Sequence, residues 1–443
     1  MHAIVLLVVG TLAACAAPEP PRGAPPVPSH GGPRSTTTTA PSSTTTVTPS
    51  TTTSTTSTPP TTSAPSTTTS STIPPSPDGT IELVTHVPGP KGYFGTSSSP
   101  AISPDGQYVT FSSTAKLTED DTNPVSDIYL WDAGTSTTVR ITDVGEPVDQ
   151  VELFYDTGQP AISADGRQVA FSSSWKFVAG DTNGAKDVFV WDAASGTTAR
   201  ITDGLGGSDS PSISADGRRV AFVSRAPLVP DDTNGRRDVF LWDGDTGVTT
   251  RVTDNLTGYY RPPVLSGDGR YVAYVVSDVH EQIFVWDSAT GATVEIAAGD
   301  GSHEDPTMSA DGRFVAFAST STDLIPGETT EPGVFLWDAT TDSIVRIGAG
   351  RGPAISPDGG HIAFSADTSK PVTDPDSIGY IADVFLWNAA SNSITQVTDG
   401  DQSSYAASIS VGGNTIAFSS SASNLVDEPA NGNSDVFVWT RSE

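Results

Sequence analysis

The chain repeats itself seven times, and this repetition limits its fold more than any other feature. One tryptophan per unit recurs at a spacing of ~50 residues, a period typical of propellers and solenoids. These residues are Trp131, Trp191, Trp242, Trp286, Trp337, Trp387 and Trp439, and only Trp175 falls outside the pattern. An Asp-Gly pair also occurs once in each of the first six units, and Gly412-Gly413 takes its place in the last unit. The pairs are Asp105-Gly106, Asp165-Gly166, Asp216-Gly217, Asp268-Gly269, Asp311-Gly312 and Asp358-Gly359.

Each unit predicts four short strands. In the second unit these are residues 161–163, 168–172, 188–191 and 198–202. The Asp-Gly pair predicts a tight hairpin turn between the first two, because Gly accepts positive φ freely. Alternation in the third strand places Val188 and Val190 on one face and Phe189 and Trp191 on the other. Both faces are apolar, which favours an all-β fold whose sheets are sandwiched between neighbours.

The ends of the repeat region predict a closed ring. The last unit stops at Val436 to Trp439, before any fourth strand, whereas an orphan strand at residues 80–85 precedes the first full unit. We therefore expect a seven-bladed β-propeller of four-stranded antiparallel blades over residues 79–443, with the N-terminal strand completing the last blade. An open solenoid, the alternative, would not need this exchange.

The repeat resembles that of the TolB-type, WD-repeat-like propeller family, over roughly residues 80 to 440. The resemblance is carried by Ser163, Asp165 and Gly166, by Val169 to Phe171, and by Asp187 to Asp192. It implies the architecture and says little about function. The periplasmic member of the family has a separate α/β domain before its propeller, and here a linker occupies that place. A role in the Tol–Pal envelope system is therefore not implied.

The N-terminal residues 1–14 predict a lipoprotein signal peptide. An apolar run from Ala3 to Ala14 is too short to span a bilayer as a helix, which needs ~20 residues. It ends directly before Cys15, the one cysteine of the chain, in a sequence that resembles the bacterial lipobox. That resemblance implies a lipidated Cys15 and an extracytoplasmic protein anchored to the outer face of the cell membrane. Only Met1 and His2 precede the run, and an ordinary cleaved secretory signal is the alternative.

Residues 15–78 are almost wholly Pro, Thr, Ser, Ala and Gly. With almost nothing apolar to bury, they predict a disordered linker. Its composition resembles the spacers of actinobacterial lipoproteins.

The net charge is −30, from 52 acidic and 22 basic residues. Nucleic-acid affinity rests on Lys and Arg, so this charge argues against nucleic acid and against docking on anionic lipid through a basic patch. The charge serves solubility, or it provides an acidic face for cationic partners or metal ions.

The loops predict a binding surface on one rim of the propeller. The first-to-second and third-to-fourth turns are short and share one rim, whereas the second-to-third and fourth-to-first loops share the other and vary. The variable loops hold aromatic and histidine side chains, which suit a binding surface on a rigid scaffold. The alternative is that these rings pack under their own loops. The candidates are Tyr93, Phe94, Phe154, Tyr155, Trp175, Tyr259, Tyr260, His303 and Tyr405.

The same rim carries a recurrent Asp-x-Asn with a further Asp four residues after the Asn. Oxygen ligands at alternate positions suit Ca²⁺, but the spacing is not that of a twelve-residue calcium loop. Asx turns that bind backbone amides are the alternative. We expect no metal site or cofactor, with calcium as the minor hypothesis. Its candidate ligands are Asp181, Asn183, Asp187, Asp232, Asn234 and Asp238, and Asp121, Asn123 and Asp127 repeat the pattern.

Catalytic signatures are weak. There is no Gly-x-Ser-x-Gly elbow, and the six histidines do not repeat a metal-ligand spacing. The leading hypothesis is a monomeric, lipid-anchored module that binds a protein or peptide. A glycan-binding propeller is the second, because aromatics beside carboxylates also suit sugars. An enzyme acting on envelope carbohydrate is the third, and it would require a close carboxylate pair in the channel.

Overall fold

A computed structural model describes residues 79–85, 95–123, 125–143, 157–254, 261–277, 280–325, 331–371, 380–427 and 433–442. All belong to the second of two compact units of the chain, Ser70–Glu443. In these residues no helix is long and apolar enough to cross a bilayer. Cys15, the predicted signal peptide and the linker lie outside the described residues, as do six of the rim aromatics. Those six are Tyr93, Phe94, Phe154, Tyr155, Tyr259 and Tyr260.

The described residues form seven four-stranded antiparallel sheets, which are the blades. Strand β1 (Gly79–Leu83) belongs to the last of them. The first blade is β2 (Ser97–Ile102), β3 (Tyr108–Ser113), β4 (Asp127–Asp132) and β5 (Thr137–Arg140); the second is β6 (Thr157–Ile162), β7 (Gln168–Ser173), β8 (Asp187–Asp192) and β9 (Thr197–Arg200). The third is β10 (Ser208–Ile213), β11 (Arg219–Ser224), β12 (Asp238–Asp243) and β13 (Val248–Arg251); the fourth is β14 (Val264–Leu265), β15 (Tyr271–Ser277), β16 (Glu281–Asp287) and β17 (Thr293–Ala297).

The fifth blade is β18 (His303–Met308), β19 (Phe314–Ser319), β20 (Gly333–Asp338) and β21 (Ser343–Gly348). The sixth is β22 (Arg351–Ile355), β23 (His361–Pro371), β24 (Tyr380–Asn388) and β25 (Ser393–Gln396). The seventh is β26 (Ser404–Ile409), β27 (Thr415–Ser420) and β28 (Asp435–Arg441), with β1 as its outermost strand and a short 3-10 turn at Val411–Gly413. The prediction of an all-β, seven-bladed propeller is confirmed.

A stacked aromatic pair lies at the centre of every blade. The second and third strands place the two rings directly opposite each other, as in Phe171 and Phe189, where cross-strand pairs stabilise a sheet most. Centroid separations of 5.6 to 5.9 Å suit offset stacking. The pairs are Phe111–Tyr129, Phe171–Phe189, Phe222–Phe240, Tyr274–Phe284, Phe317–Phe335, Phe364–Phe385 and Phe418–Phe437.

The other face of each blade packs on its neighbour. Val188 and Val190 of the second blade contact the core that contains Phe222 and Phe240 of the third. The same arrangement joins Val436 of the seventh blade to Phe111 of the first. Because both faces of a blade are buried, the strands have apolar side chains on both sides, as the sequence predicts.

Strand β1 closes the ring, and this prediction is also confirmed. It pairs antiparallel with β28 over five residues, with Ile81 opposite Trp439. Beyond the ladder, the Thr85 hydroxyl donates to the Asp435 carboxylate at 2.9 Å, and the Val436 N–H donates back to that hydroxyl at 3.2 Å. The first and last segments of the propeller are therefore held in one sheet.

The Asp-Gly turn joins neighbouring blades. In the second blade the Ser163 hydroxyl donates to Asp165 at 2.8 Å, and the Gln168 N–H donates to Ser163 at 2.9 Å. Gly166 has φ +68°, and a Cβ there would lie 2.2 Å from the Tyr108 ring of the preceding blade. Glycine is therefore required both by the turn and by the close approach of two blades.

Candidate functional site

The two faces of the ring differ. We call the face with the first-to-second and third-to-fourth turns the short-turn face, and the opposite one the long-loop face. On the short-turn face, backbone bonds run from blade to blade at 2.8 Å, from Ala164 N–H to Ala215 O and from Ala215 N–H to Gly267 O. Similar bonds join Asp268 to Ala310, Ala310 to Pro357 and Val411 to Pro104. Side chains add to this face, since Arg270 binds Asp287 through two bonds of 2.8 Å.

The long-loop face holds a ring of strained bulges around the central channel. The innermost strands contact one another around the axis, and their pairing shifts register near this face, as between Gly158 and Ala161. In four blades, one residue inside the bulge has positive φ although it is not glycine, which is uncommon. These residues are Ser99 (54°), Gln159 (54°), Ser210 (57°) and Asp305 (50°). In the sixth blade Gly352 (56°) takes the equivalent place.

A proline follows each of these residues, namely Pro100, Pro160, Pro211, Pro306 and Pro353. Proline has no N–H and is accepted here because the innermost strand is a sheet edge. Proline also disfavours the helical region for the residue before it. The x-Pro pair therefore marks the position of the bulge in five blades.

A polar cavity of about 430 Å³ lies at the channel mouth between the first and fourth blades. Three of the strained residues, Ser99, Gln159 and Ser210, line it. The charged lining residues are Lys186, Asp209 and Arg237, and the remaining ones are Ser98, Ser112, Ser126, Thr157, Gly158 and Pro262. Its volume is that of a ligand pocket, but its lining consists of hydroxyls, an amide and charges instead of apolar side chains.

Ion pairs continue around the mouth. The Arg237 guanidinium lies 2.7 Å from Asp209. Arg261 of the fourth blade lies between Glu304 at 2.8 Å, Asp305 at 3.5 Å and Glu281 at 3.7 Å.

In the sixth blade Arg351 binds Asp367 at 2.9 Å and lies 5.9 Å from the centroid of the Tyr405 ring. Tyr405 is the second residue of β26 and is 47% exposed, so it is a described rim aromatic that a partner can reach.

The other two described rim candidates are less accessible. Trp175 is half-buried, and its backbone N–H donates to Ser173 at 3.0 Å. His303 is 0% exposed and starts β18. Its Nδ1 lies 2.9 Å from the Ser319 hydroxyl, and its ring meets Phe317 edge-on. Burial lowers the pKa of His303, against the opposing charges of Asp323 and Asp300. The structure therefore places His303 inside the fifth blade.

In each Asp-x-Asn loop, the carboxylates form ion pairs with an arginine from the outermost strand of the same blade. Arg200 lies 3.1 Å from Asp181 and 3.4 Å from Asp187. The Asp187 carboxylate also accepts from Thr202 at 2.6 Å and from the Asn183 amide at 2.9 Å. The guanidinium supplies the positive charge that a calcium ion would bring. In the described ranges, no group of three or more His, Cys, Asp or Glu side chains is arranged to hold a metal ion.

The third and first blades repeat this arrangement. Arg251 lies 2.7 Å from Asp238 and 3.5 Å from Asp232, and the Asn234 amide donates to Asp238 at 2.9 Å. The Asn oxygens accept backbone N–H groups two residues on, as Asx turns do, from Ala185 at 3.0 Å and from Arg236 at 2.7 Å.

In the first blade Arg140 lies within 3.5 Å of Asp121 and Asp127, and the Val125 N–H donates to Asn123 at 3.0 Å. Burial raises the pKa of Asp127 to about 6, although the Thr142 hydroxyl and Arg140 act in the other direction. The candidate calcium ligands thus have protein partners in all three blades.

Sequence reasoning missed both the mouth residues and these arginines. Signals for each were present: a polar residue before the recurrent proline of the first strand, and Arg140, Arg200 and Arg251 at one repeat position before Ile-Thr-Asp or Val-Thr-Asp.

Comparison with known proteins supports the fold. Residues 145–325 match the TolB beta propeller domain family. A protein named "Protein TolB homolog" from Chlorobium chlorochromatii is 29% identical over 126 residues, which cover 28% of this chain and 23% of that protein. The match therefore spans about a quarter of that relative's length.

Two solved structures share the architecture at low identity, a likeness of fold alone. Oligogalacturonate lyase from Vibrio parahaemolyticus has a TM-score of 0.55 at 14% identity, over 81% of this chain and 93% of that one. The β-propeller domain of the Trilobed protease from Pyrococcus furiosus has a TM-score of 0.51 at 12% identity, over 78% and 96%. That domain is described as having an open velcro topology, whereas β1 closes the ring here. The described part of this chain is a seven-bladed β-propeller, and its residues 145–325 are similar to the TolB beta propeller domain family.

Proposed function

We propose that this chain is a lipid-anchored, extracytoplasmic module that binds a protein or peptide on its long-loop face. The observation that carries the proposal is a set of four left-handed, non-glycine residues around the channel mouth. Each such conformation costs ~1–3 kcal/mol, and conformations of this kind cluster at binding and catalytic sites. Glycine would remove the cost, as at Gly352, yet Ser99, Gln159, Ser210 and Asp305 keep side chains there.

The short-turn face also has a cavity, of about 630 Å³ between the fourth and fifth blades, but its polar groups are less available to a partner. Backbone bonds between blades and carboxylate–arginine pairs occupy many polar groups of the short-turn face. A peptide would have to displace these bonds, whereas the mouth on the long-loop face is an open polar cavity. This difference supports the long-loop face as the binding surface.

Anchoring and location rest on the lipobox-like residues before Cys15. A diacylglyceryl group on Cys15, followed by the Pro/Thr/Ser-rich segment, would hold the propeller outside the cell membrane. Metabolic labelling with a radioactive fatty acid tests this directly. The native chain should be labelled and sediment with membranes, and the Cys15→Ser variant should do neither. Label that persists in the variant contradicts the anchor.

Photo-crosslinking tests the binding surface. A photoreactive phenylalanine replaces Tyr405 at the mouth or, as the matched control, Ser195 in an exposed turn of the short-turn face. We expect one dominant protein adduct from position 405 in intact cells and none from position 195. Equal adducts from both positions, or none from either, contradict a protein-binding long-loop face.

Glycan binding is the second candidate, and the hydroxyl- and amide-lined mouth is the observation that favours it. A glycan array separates the two. Enrichment that is lost in a Gln159→Ala variant supports a glycan ligand, and no enrichment over that variant counts against it. An enzyme acting on carbohydrate would need a close carboxylate pair. At the mouth, Glu281, Glu304 and Asp305 are bridged by Arg261, which favours binding over turnover.

A further inference from the structure

We infer that the cavity of about 630 Å³ on the short-turn face is a binding site for a small amphipathic amine. The apolar body of the ligand lies between the fourth and fifth blades, and its protonated nitrogen is held by Asp342 and Asp311. This inference goes beyond the proposed function and does not depend on it, because it concerns the opposite face of the ring and another class of ligand.

The cavity has the size and the lining of a small-molecule site. Such sites usually have volumes of about 300–1,000 Å³ and are lined mainly by apolar and aromatic side chains, with a few polar groups that orient the ligand. Here Val285 and Trp337 are buried in the core that the two blades share. The apolar lining residues are Tyr271, Val285, Ala292, Val294, Trp337 and Ala339.

A valine in place of a leucine leaves room for this cavity. An aliphatic side chain of the third strand lies in one core with the tryptophan of the next blade, as Val285 does with Trp337. Opposite Val285, the fourth strand has Val294, which is 50% exposed and available to a ligand. Four other blades have the larger leucine at the position of Val285, namely Leu130, Leu241, Leu336 and Leu386.

The charged groups at the cavity leave a negative excess. The charged lining residues are Asp287, Asp311, Asp342 and Arg313. Asp287 is bound to Arg270 by two hydrogen bonds of 2.8 Å, and Arg313 is bound to Asp338 by bonds of 3.0 and 2.8 Å. With these two partners included, four carboxylates face two guanidinium groups, so two negative charges remain. A protonated amine is attracted by this excess.

Asp342 is placed to accept a hydrogen bond from an amine. It lies in the third-to-fourth turn of the fifth blade, and its Oδ1 accepts from the Trp337 indole N–H at 3.1 Å. In the sixth blade Asn392 has the same φ of 50° and accepts from the Trp387 indole at 3.0 Å. An uncharged amide therefore meets the structural demand. The hydrogen bonds of the described residues engage one oxygen of Asp342, so its other oxygen is available to a ligand.

Asp311 provides the second carboxylate, from the first-to-second turn of the same blade. Its Oδ1 accepts from the Ser309 hydroxyl at 2.7 Å and from the Arg313 backbone N–H at 3.0 Å, which fixes the side chain at the rim of the cavity. An ammonium group has three N–H donors and no acceptor. It therefore matches a rim on which carboxylates outnumber cations.

A small molecule suits this cavity better than a peptide. Backbone groups around it already bind each other, since the Ala339 N–H donates to the Arg313 carbonyl at 2.9 Å and the Ala310 N–H to the Pro357 carbonyl at 2.8 Å. These groups are not free to pair with the main chain of a peptide. Recognition is left to the apolar lining and the two carboxylates.

Isothermal titration calorimetry with three probes of one carbon skeleton tests the inference. The probes are phenylbutylamine, phenylbutanol and phenylbutyrate, each with the ring at one end of the chain and the polar group at the other. The protein is the full chain with Cys15→Ser, without detergent, because micelles would absorb the probes. We expect the amine to bind about fivefold more tightly than the alcohol, since an exposed ion pair adds a modest attraction, and the carboxylate to bind most weakly. Equal affinities for the three probes overturn the inference.

Covering the cavity tests its location. Val294→Trp places a bulky indole where the apolar body of the ligand would lie, and it should weaken the binding of amine and alcohol alike by at least about tenfold. The matched control is Val345→Trp, at the same repeat position of the fifth blade, where the valine is 48% exposed and lies outside the cavity lining. This control should bind like the parent chain. Unchanged binding by Val294→Trp, or an equal loss in both variants, overturns the site.

Removing the two carboxylates tests the recognition of the amine. Asp311→Asn/Asp342→Asn should bring the affinity for the amine down to that for the alcohol and leave the alcohol unaffected. The matched control, Asp216→Asn/Asp245→Asn, removes two exposed carboxylates from the corresponding turns of the third blade. The preference for the amine should survive there. An equal loss in both variants would mean diffuse attraction to an acidic surface and would overturn the inference, as would a preference that persists in the first variant.

The single variant Asp342→Asn covers the case in which the double variant fails to fold. Asn392 shows that an amide at this position keeps the bond to the indole. The single variant should lose part of the preference for the amine over the alcohol, and an unchanged preference overturns the role of Asp342.

Discussion

Replacing Gly166 by alanine should weaken the contact between the first and second blades, and the chain contains its own control. Gly166 and Gly184 have nearly the same backbone conformation, with φ of +68° and +65°. A Cβ at position 166 would lie 2.2, 2.5 and 2.8 Å from three atoms of the Tyr108 ring, whereas a Cβ at position 184 would meet nothing within 4 Å. The two substitutions therefore share the backbone cost and differ in the contact between blades.

The expected magnitudes follow from these distances. Alanine in a left-handed conformation costs ~1–2 kcal/mol, and the less flexible unfolded chain offsets ~0.4–1 kcal/mol of this. Gly184→Ala should therefore lower the free energy of unfolding by about 1 kcal/mol. Gly166→Ala must also displace the Tyr108 ring, and overpacking adds ~1–3 kcal/mol. We expect a total loss of about 2–4 kcal/mol for that variant.

Urea denaturation of the full chain, followed by tryptophan fluorescence at 25 °C, measures the difference between the variants. Tyr108→Ala in both backgrounds provides a double-mutant cycle. It should recover part of the loss in Gly166→Ala and nothing in Gly184→Ala, because contacting residues are coupled and distant ones are additive. Equal losses for the two glycine variants, or no coupling between positions 108 and 166, would refute the role given to this contact.

Three further predictions test the closure, the arginine clusters and the buried histidine. Deleting residues 80–85 should lower the melting temperature by several degrees, because the buried Val84 and the ladder to β28 are lost; an unchanged melting curve would contradict closure by β1. Arg200→Met should cost ~3–5 kcal/mol, because it removes the positive charge beside two buried carboxylates, and a calcium chelator should leave the melting temperature unchanged; a chelator-dependent drop would support the calcium hypothesis. His303→Ser restores the serine pair seen between Ser208 and Ser224 in the third blade. Since the folded pKa of His303 lies below its ordinary value near 6.5, the native chain should lose stability relative to this variant as the pH falls below about 6.5, and parallel pH profiles would show otherwise.

The architecture could be predicted from the repeat because each blade has the same local sequence pattern. The Asp-Gly turn provides a residue that accepts positive φ. The two aromatic positions form a cross-strand ring pair, and the tryptophan lies near the end of the third strand. The closure of the ring could also be predicted, because the last blade lacks a fourth strand and one extra strand precedes the first blade. The extra strand completes the last blade.

The interpretation of the Asp-x-Asn loops could not be settled in the same way. Their partner, Arg200 in the second blade, follows Asp187 by thirteen residues and reaches it only because the fourth strand lies beside the third. Carboxylates near a turn suit either a metal or an arginine, and the choice depends on which side chain the sheet register brings to them. The position of His303 could not be predicted from the sequence either. The sequence predicts a loop there, but His303 is the first residue of an innermost strand and is buried.

The sequence by itself determined the number of blades, the strand order within each and the strand that closes the ring, because those depend on neighbours along the chain. Only the tertiary structure decided which residues of different blades meet at the channel mouth. Ser99, Gln159, Ser210, Lys186 and Arg237 are spread over more than a hundred residues, yet line one cavity. The physical reason is the ring itself, which brings equivalent positions of successive blades close to one axis. Residues that differ between the repeats at these positions therefore lie together in a single site.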